Sequence, residues 1–176
     1  MKLFLLIACS LFSVFVLAQT KRVAQGRKLE IKQFIITIPS DWSFDTTTVN
    51  NTVFKAKSPL EFESDDFQEN MGVRVSDLGG NDITLDLLMR DMEKALSDKM
   101  TDFQLLERKK EIVGKEKAES FVFTTRHDNY HIQQKQFYML RGNYFYVYTF
   151  SAKTDSFSKY LPVFQKIIQS IIFKKG

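Results

Sequence analysis

His127 and His131 stand four residues apart, a pair with the side chains to bind a metal. On a helix that spacing would put two imidazoles on one face, ready to hold a metal ion. Here the residues between them include Asp128-Asn129, which reads as a hairpin turn and removes the helical meaning of the spacing. A zinc site also needs further ligands, commonly thiolates. The single cysteine, Cys9, falls in an apolar leader. The histidines therefore read as solvated loop residues, and no metal site is expected.

A second cluster is acidic. Glu61, Glu63, Asp65 and Asp66 lie in Glu-Phe-Glu-Ser-Asp-Asp. Hard cations take several oxygen ligands, but this string lacks the glycine and the later bidentate glutamate of a dedicated calcium loop. It reads as a solvated loop, with Glu61, Glu63 and Asp65 as candidates for a partner contact. Lys109, Lys110, Lys115 and Lys117 crowd one hairpin end. Glutamates at 107, 111 and 116 dilute their field, and lysines on exposed strands block edge-to-edge pairing. Tyr144, Tyr146 and Tyr148 alternate in Tyr-Phe-Tyr-Val-Tyr-Thr-Phe and are candidates for a stacking platform, although such residues more often fill a core. There is no Gly-x-Ser-x-Gly elbow, no Gly-x-Gly-x-x-Gly and no phosphate loop. No catalytic residue is nominated and no cofactor is expected.

These residues need elements to hold them, and the chain has material for one domain. It has 176 residues, of which 44% are apolar and 26% charged, with seventeen phenylalanines. Phenylalanines bury large areas, so a core that needs no disulfide is expected. Residues 1–18 read as a signal peptide, with a short basic start and an apolar run from Leu3 ending at Ala18. The run falls short of a spanning helix. Cleavage at Cys9, as in a lipoprotein, would leave only Leu3 to Ala8 as apolar core and is the weaker alternative. Without Lys2, 24 basic residues stand against 21 acidic ones, a balance that does not argue for nucleic acid.

Residues 19–30 read as a flexible leader. Phe34, Ile36 and Ile38 alternate with a second set, predicting a strand that Pro39 stops. Further strands are expected over Thr52 to Ala56 and Met71 to Ser76, with Ser58 to Asn70 as a loop. Thr84 is placed to cap a helix in which Leu85, Leu88, Met89, Met92, Leu96 and Met100 form one stripe. Three hairpin connections follow, at Gly114-Lys115, His127-Asp128-Asn129 and Gly142-Asn143. The strand from Tyr144 is bulky on both faces, so a layer on each side is expected. Phe157, Tyr160, Leu161, Phe164, Ile167, Ile168 and Ile171 form a second helical stripe. Pro162 predicts a separate turn over Asp155 to Lys159 before a regular helix from Leu161 to Gln169. A short edge strand is expected within Ser170 to Phe173. The fold class is α/β (α+β): a three-layer α/β/α sandwich, its central antiparallel sheet flanked by a helix on each side.

The opening Phe34-Ile35-Ile36-Thr37-Ile38-Pro39-Ser40-Asp41-Trp42, the helix from Leu85 to Met100, and Ile112-Val113-Gly114-Lys115 with Ala118 together resemble the PsbP-like family. The closing Gln134 to Tyr148 and Tyr160 to Phe173 extend the resemblance over most of residues 31–174. It implies an α/β/α sandwich and a mostly non-enzymatic way of life, and it carries no site residue over. The expected function is an exported, non-enzymatic binding or accessory module, periplasmic or secreted, whose partner is an extracytoplasmic protein. The alternatives are a small-ligand or lipid carrier with a pocket between sheet and helix, and an unrecognised hydrolase with paired carboxylates.

Overall fold

A computed structural model describes residues 26–80 and 83–174. The proposed signal peptide, Cys9 and residues 19–25 lie outside that range. Strands β1 (Gly26–Glu30), β2 (Phe34–Pro39), β3 (Ser43–Asp45), β4 (Thr52–Lys57) and β5 (Asn70–Asp77) come first. Helix α1 (Leu85–Lys99) follows, then the long strands β6 (Thr101–Val113), β7 (Glu116–His127), β8 (Tyr130–Arg141) and β9 (Tyr144–Lys153). Helix α2 (Phe157–Gln169) and the short β10 (Ile172–Phe173) close the fold.

The hairpin turns are set by residues that tolerate a left-handed backbone. Gly114, Asp128 and Gly142 have φ of 61°, 51° and 56°. They tie β6 to β9 into an antiparallel run, and β9 then pairs with β5. The resulting seven-stranded sheet has the order β3-β4-β5-β9-β8-β7-β6. Its outer strand β6 shifts register at Thr101/Gln104 and Leu105/Glu107. Such bulges, with Lys109 and Lys110 on the same strand, blunt an open edge.

The central position of β9 explains its bulk. Tyr146, Tyr148, Phe150 and Ala152 enter the larger core, where α2 contributes Phe157, Phe164, Ile167 and Ile168. On the opposite face Phe145 is buried with Tyr138, Phe121 and Phe123 beneath Met89 and Leu96 of α1. The sheet is thus covered on both sides, as the three-layer reading requires.

Three features differ from expectation. Gly26–Glu30, placed in the flexible leader, is a strand paired along its whole length with β2. Together with β10 it makes a second, three-stranded sheet of order β1-β2-β10 in the α2 layer. Its sequence Gly-Arg-Lys-Leu-Glu has no buried residue, so no apolar period announces it. Helix α2 also runs unbroken through Pro162 from Phe157. Proline there has no amide to bond the Ser158 carbonyl, and Ser158 is an exposed residue, where a missing helical bond costs least. Finally β3 adds a short strand after Trp42. Among the described residues no helix is long and apolar enough to cross a membrane.

Candidate functional site

An open groove of about 790 Å³ follows one side of α2. The helix lines it with Lys159, Tyr160, Val163, Lys166 and Ile167, ending at Ser170. These positions recur at helical spacing, so they form a second stripe beside the one that faces the sheet. The facing wall is the end of β2 with Thr37, Ile38 and Pro39, continued by Asp41 and Trp42. Ile38, Trp42 and Ile167 are buried and give the groove an apolar floor. The Ser170 hydroxyl knits the two walls: it accepts the Thr37 amide at 2.9 Å and lies 3.3 Å from the Thr37 carbonyl.

A third wall comes from the acidic loop between β4 and β5, through Pro59 and Glu61. Glu61 accepts hydrogen bonds from the Lys159 ammonium and the Tyr160 hydroxyl. The Lys159 bond first, then Tyr160, holds the Glu61 carboxyl below the usual carboxylate range. Burial, and secondarily Glu61, pushes the Tyr160 hydroxyl up. The rest of the loop is anchored the same way. Lys153 donates to Asp66 at 3.0 Å and lies over the rings of Phe67 and Tyr130. Asp65 turns inward and accepts the amides of Glu61 and Phe67 at 2.9 and 3.2 Å. Glu69 accepts from Ser58 at 3.2 Å and from Ser156 at 2.6 Å.

The structure separates the residues nominated from sequence. Glu61 reaches the groove, Asp65 braces the loop, and Glu63 stands exposed. Tyr146 and Tyr148 stack on each other with ring centres 6.3 Å apart, but they are 1% and 0% exposed, so no base or sugar reaches them. Tyr144 is exposed, at the sheet end opposite Arg141. In the β7–β8 hairpin His131 pairs with Arg126 and His127 with Tyr130, so the two imidazoles leave on opposite faces. Among the described residues no group of three His, Cys, Asp or Glu side chains is placed to hold a metal ion.

A proton-donating acid needs a carboxyl pushed upward. The carboxyls displaced here, those of Glu30, Asp45, Glu61, Asp65 and Asp66, all move downward, as ion-paired or hydrogen-bonded anchors do. A smaller, polar cavity of about 400 Å³ lies between the β1–β2 and β3–β4 connections, lined by Lys32, Gln33, Thr46, Thr48 and Asn51.

Sequence reasoning passed over Trp42, Val163 and Lys166 as site residues. The signal was present in Lys159, Val163 and Lys166, a half-polar stripe next to the apolar one on a helix whose other side was already assigned to the core.

The fold is an α/β/α sandwich with an open groove beside its last helix, and solved structures share that fold. Cyanobacterial PsbP (CyanoP) from Synechocystis has this fold, with a TM-score of 0.61 at 14% identity, over 96% of this chain and 99% of that one. LpqN, described as involved in cell envelope biogenesis of Mycobacterium tuberculosis, matches with a TM-score of 0.63 at 12% identity, over 86% and 91% of the two chains. A protein of unknown function from Pseudomonas aeruginosa matches with a TM-score of 0.61 at 11% identity, over 86% and 99%. At such identities the likeness is one of fold. No family model matches the chain, and no curated protein matches its sequence.

Proposed function

We propose that this protein is an extracytoplasmic, non-enzymatic binding or accessory module that receives its partner in the groove beside α2. The observation that carries the reading is the groove itself. Its volume falls within the roughly 300–1,000 Å³ typical of ligand sites, and its apolar floor is rimmed by a few polar groups. Leu60 and Phe62, on either side of Glu61, are 50% and 61% exposed and extend the apolar surface beyond the rim. The apolar leader and the fold shared with CyanoP and with an envelope-biogenesis protein support a place outside the cytoplasm.

A photo-crosslinking residue at Val163, compared with one at Leu87 on α1, tests this in an envelope fraction. The expected result is one protein adduct from position 163. It should be competed by excess unlabelled protein but not by its Val163→Glu variant. Equal labelling from both positions, or none from position 163, overturns the reading.

The carrier alternative also gains support from the groove, with one change. The aromatics at hand are Trp42 and Tyr160, not the buried tyrosines of β9.

A further inference from the structure

We infer that the groove binds a single-chain amphiphile with one anionic head, its alkyl chain along α2 and its head at Lys166. The inference deepens the proposed function, since it rests on the groove being the binding surface. Four observations support it.

The first is shape. From the head at Lys166 back to Lys159 the helix advances about 10 Å, room for roughly eight methylenes in line, with the exposed Leu60 and Phe62 to take the rest of a longer chain. The second is the floor. Pro39, Pro59 and Val163 offer carbon surface along that length, over the buried Ile38, Trp42 and Ile167. The third is the saturation of the walls. At the groove, strand β2 is paired along one edge with β1; on its other edge, past the β10 pairs at Phe34 and Ile35, the Pro39 carbonyl accepts the Trp42 amide at 3.2 Å, and the amides of α2 along the groove are engaged within the helix. The Ser170 hydroxyl is already engaged with Thr37. An extended peptide strand laid here would leave its own amides unpaired, which is costly when they are removed from water, whereas a folded partner that presents side chains would not. An alkyl chain has no such groups.

The fourth is charge. Lys159 is engaged by Glu61, whereas Lys166 is exposed at the rim, with no ion pair among the described residues. Asp41 lines the same groove and disfavours a second anion. One anionic head at Lys166 satisfies both.

Trp42 is the only tryptophan and lines the groove, so its emission reports occupancy directly. Laurate, kept below its micelle concentration, is titrated into the protein and followed by Trp42 fluorescence and by calorimetry. Saturable binding is expected. Lys166→Glu should weaken it at least tenfold and Val163→Glu should abolish it, both with unchanged circular dichroism. Dodecyltrimethylammonium, the same chain with a cationic head, and dodecanedioate, with a second anion, should each bind at least tenfold more weakly.

No heat and no emission change with laurate overturns the inference. So does equal binding of the cationic amphiphile, or a Lys166→Glu variant that binds as the parent does. Laurate failure with adducts still forming at position 163 removes the amphiphile and leaves the accessory module standing. Laurate binding without a groove-specific protein adduct does the reverse.

Discussion

At the scale of single residues, Glu61 shows how far side-chain type reaches and where it stops. Its carboxyl is held below its ordinary value by Lys159 and Tyr160. A carboxyl with a depressed folded pKa contributes stability that is fully present above its unfolded value, and that is lost as pH falls through the folded one. Asp65 and Asp66, in the same loop, shift the same way. Melting temperature should therefore drop as pH is lowered through and below the ordinary carboxylate range. Glu61→Gln should flatten part of that slope in melts taken at several pH values. At neutral pH the substitution should cost no more than about 1 kcal/mol, because the Lys159 partner is 59% exposed and solvent screens the pair. The core behaves differently. Phe164 is fully buried and Leu88 only partly, so Phe164→Ala should cost about 3–5 kcal/mol and Leu88→Ala clearly less by denaturant titration. Glu61 was legible as a candidate because acidic residues cluster there. Its partner was not, because Lys159 lies 98 positions away and no local pattern links them.

At the scale of elements, the sequence was readable wherever one face had to be apolar. The α1 stripe, its Thr84 cap and the four long strands follow from periodicity and turn residues, and the structure has Thr84 accepting the Leu87 amide. Where local rules compete with packing, reading failed. Proline suggested a break in α2, yet Phe157 is buried against Phe150, with ring centres 5.4 Å apart, and that anchor holds the first turn helical. If packing overrides the local cost, Pro162→Ala should relieve it. The variant should gain about 2 kcal/mol, the helix-interior penalty of proline less the added freedom of the unfolded chain. Unchanged or lower stability in thermal melts would place the benefit of Pro162 elsewhere. Gly114 gives the opposite case. Its φ of 61° is left-handed, and an added Cβ would stand 2.9 Å from the Ile171 carbonyl oxygen. Gly114→Ala should cost about 2 kcal/mol from the backbone alone, and more if the β6–β7 turn and the segment before β10 cannot separate. Strand β1 left no trace in the sequence because both of its faces are largely wet.

At the scale of the whole molecule the two helical layers are unequal, and the inequality bears on where this protein can move. The α2 layer carries Phe157, Phe164, Ile167 and Ile168 as buried residues and is continued by a second sheet. The α1 layer buries only Met89 and Leu96 outright, and its remaining stripe is partly wet. Local opening draws on the apolar surface an element would expose, so the layer with the smaller buried stripe opens at the lower free energy. The groove borders the better-buried layer. Its helical wall is therefore rigid, which suits a surface that must be shaped before its partner arrives. Native-state hydrogen exchange followed by mass spectrometry checks this. Peptides covering Leu85–Lys99 should exchange well before those covering β8, β9 and Leu161–Gln169. A Met89→Ala substitution should speed the first set while leaving the α2 peptides nearly unchanged. If α1 proves as protected as β9, or if loosening α1 loosens α2 equally, the layers unfold as one unit and the groove owes its shape to the global fold rather than to its own half of the core.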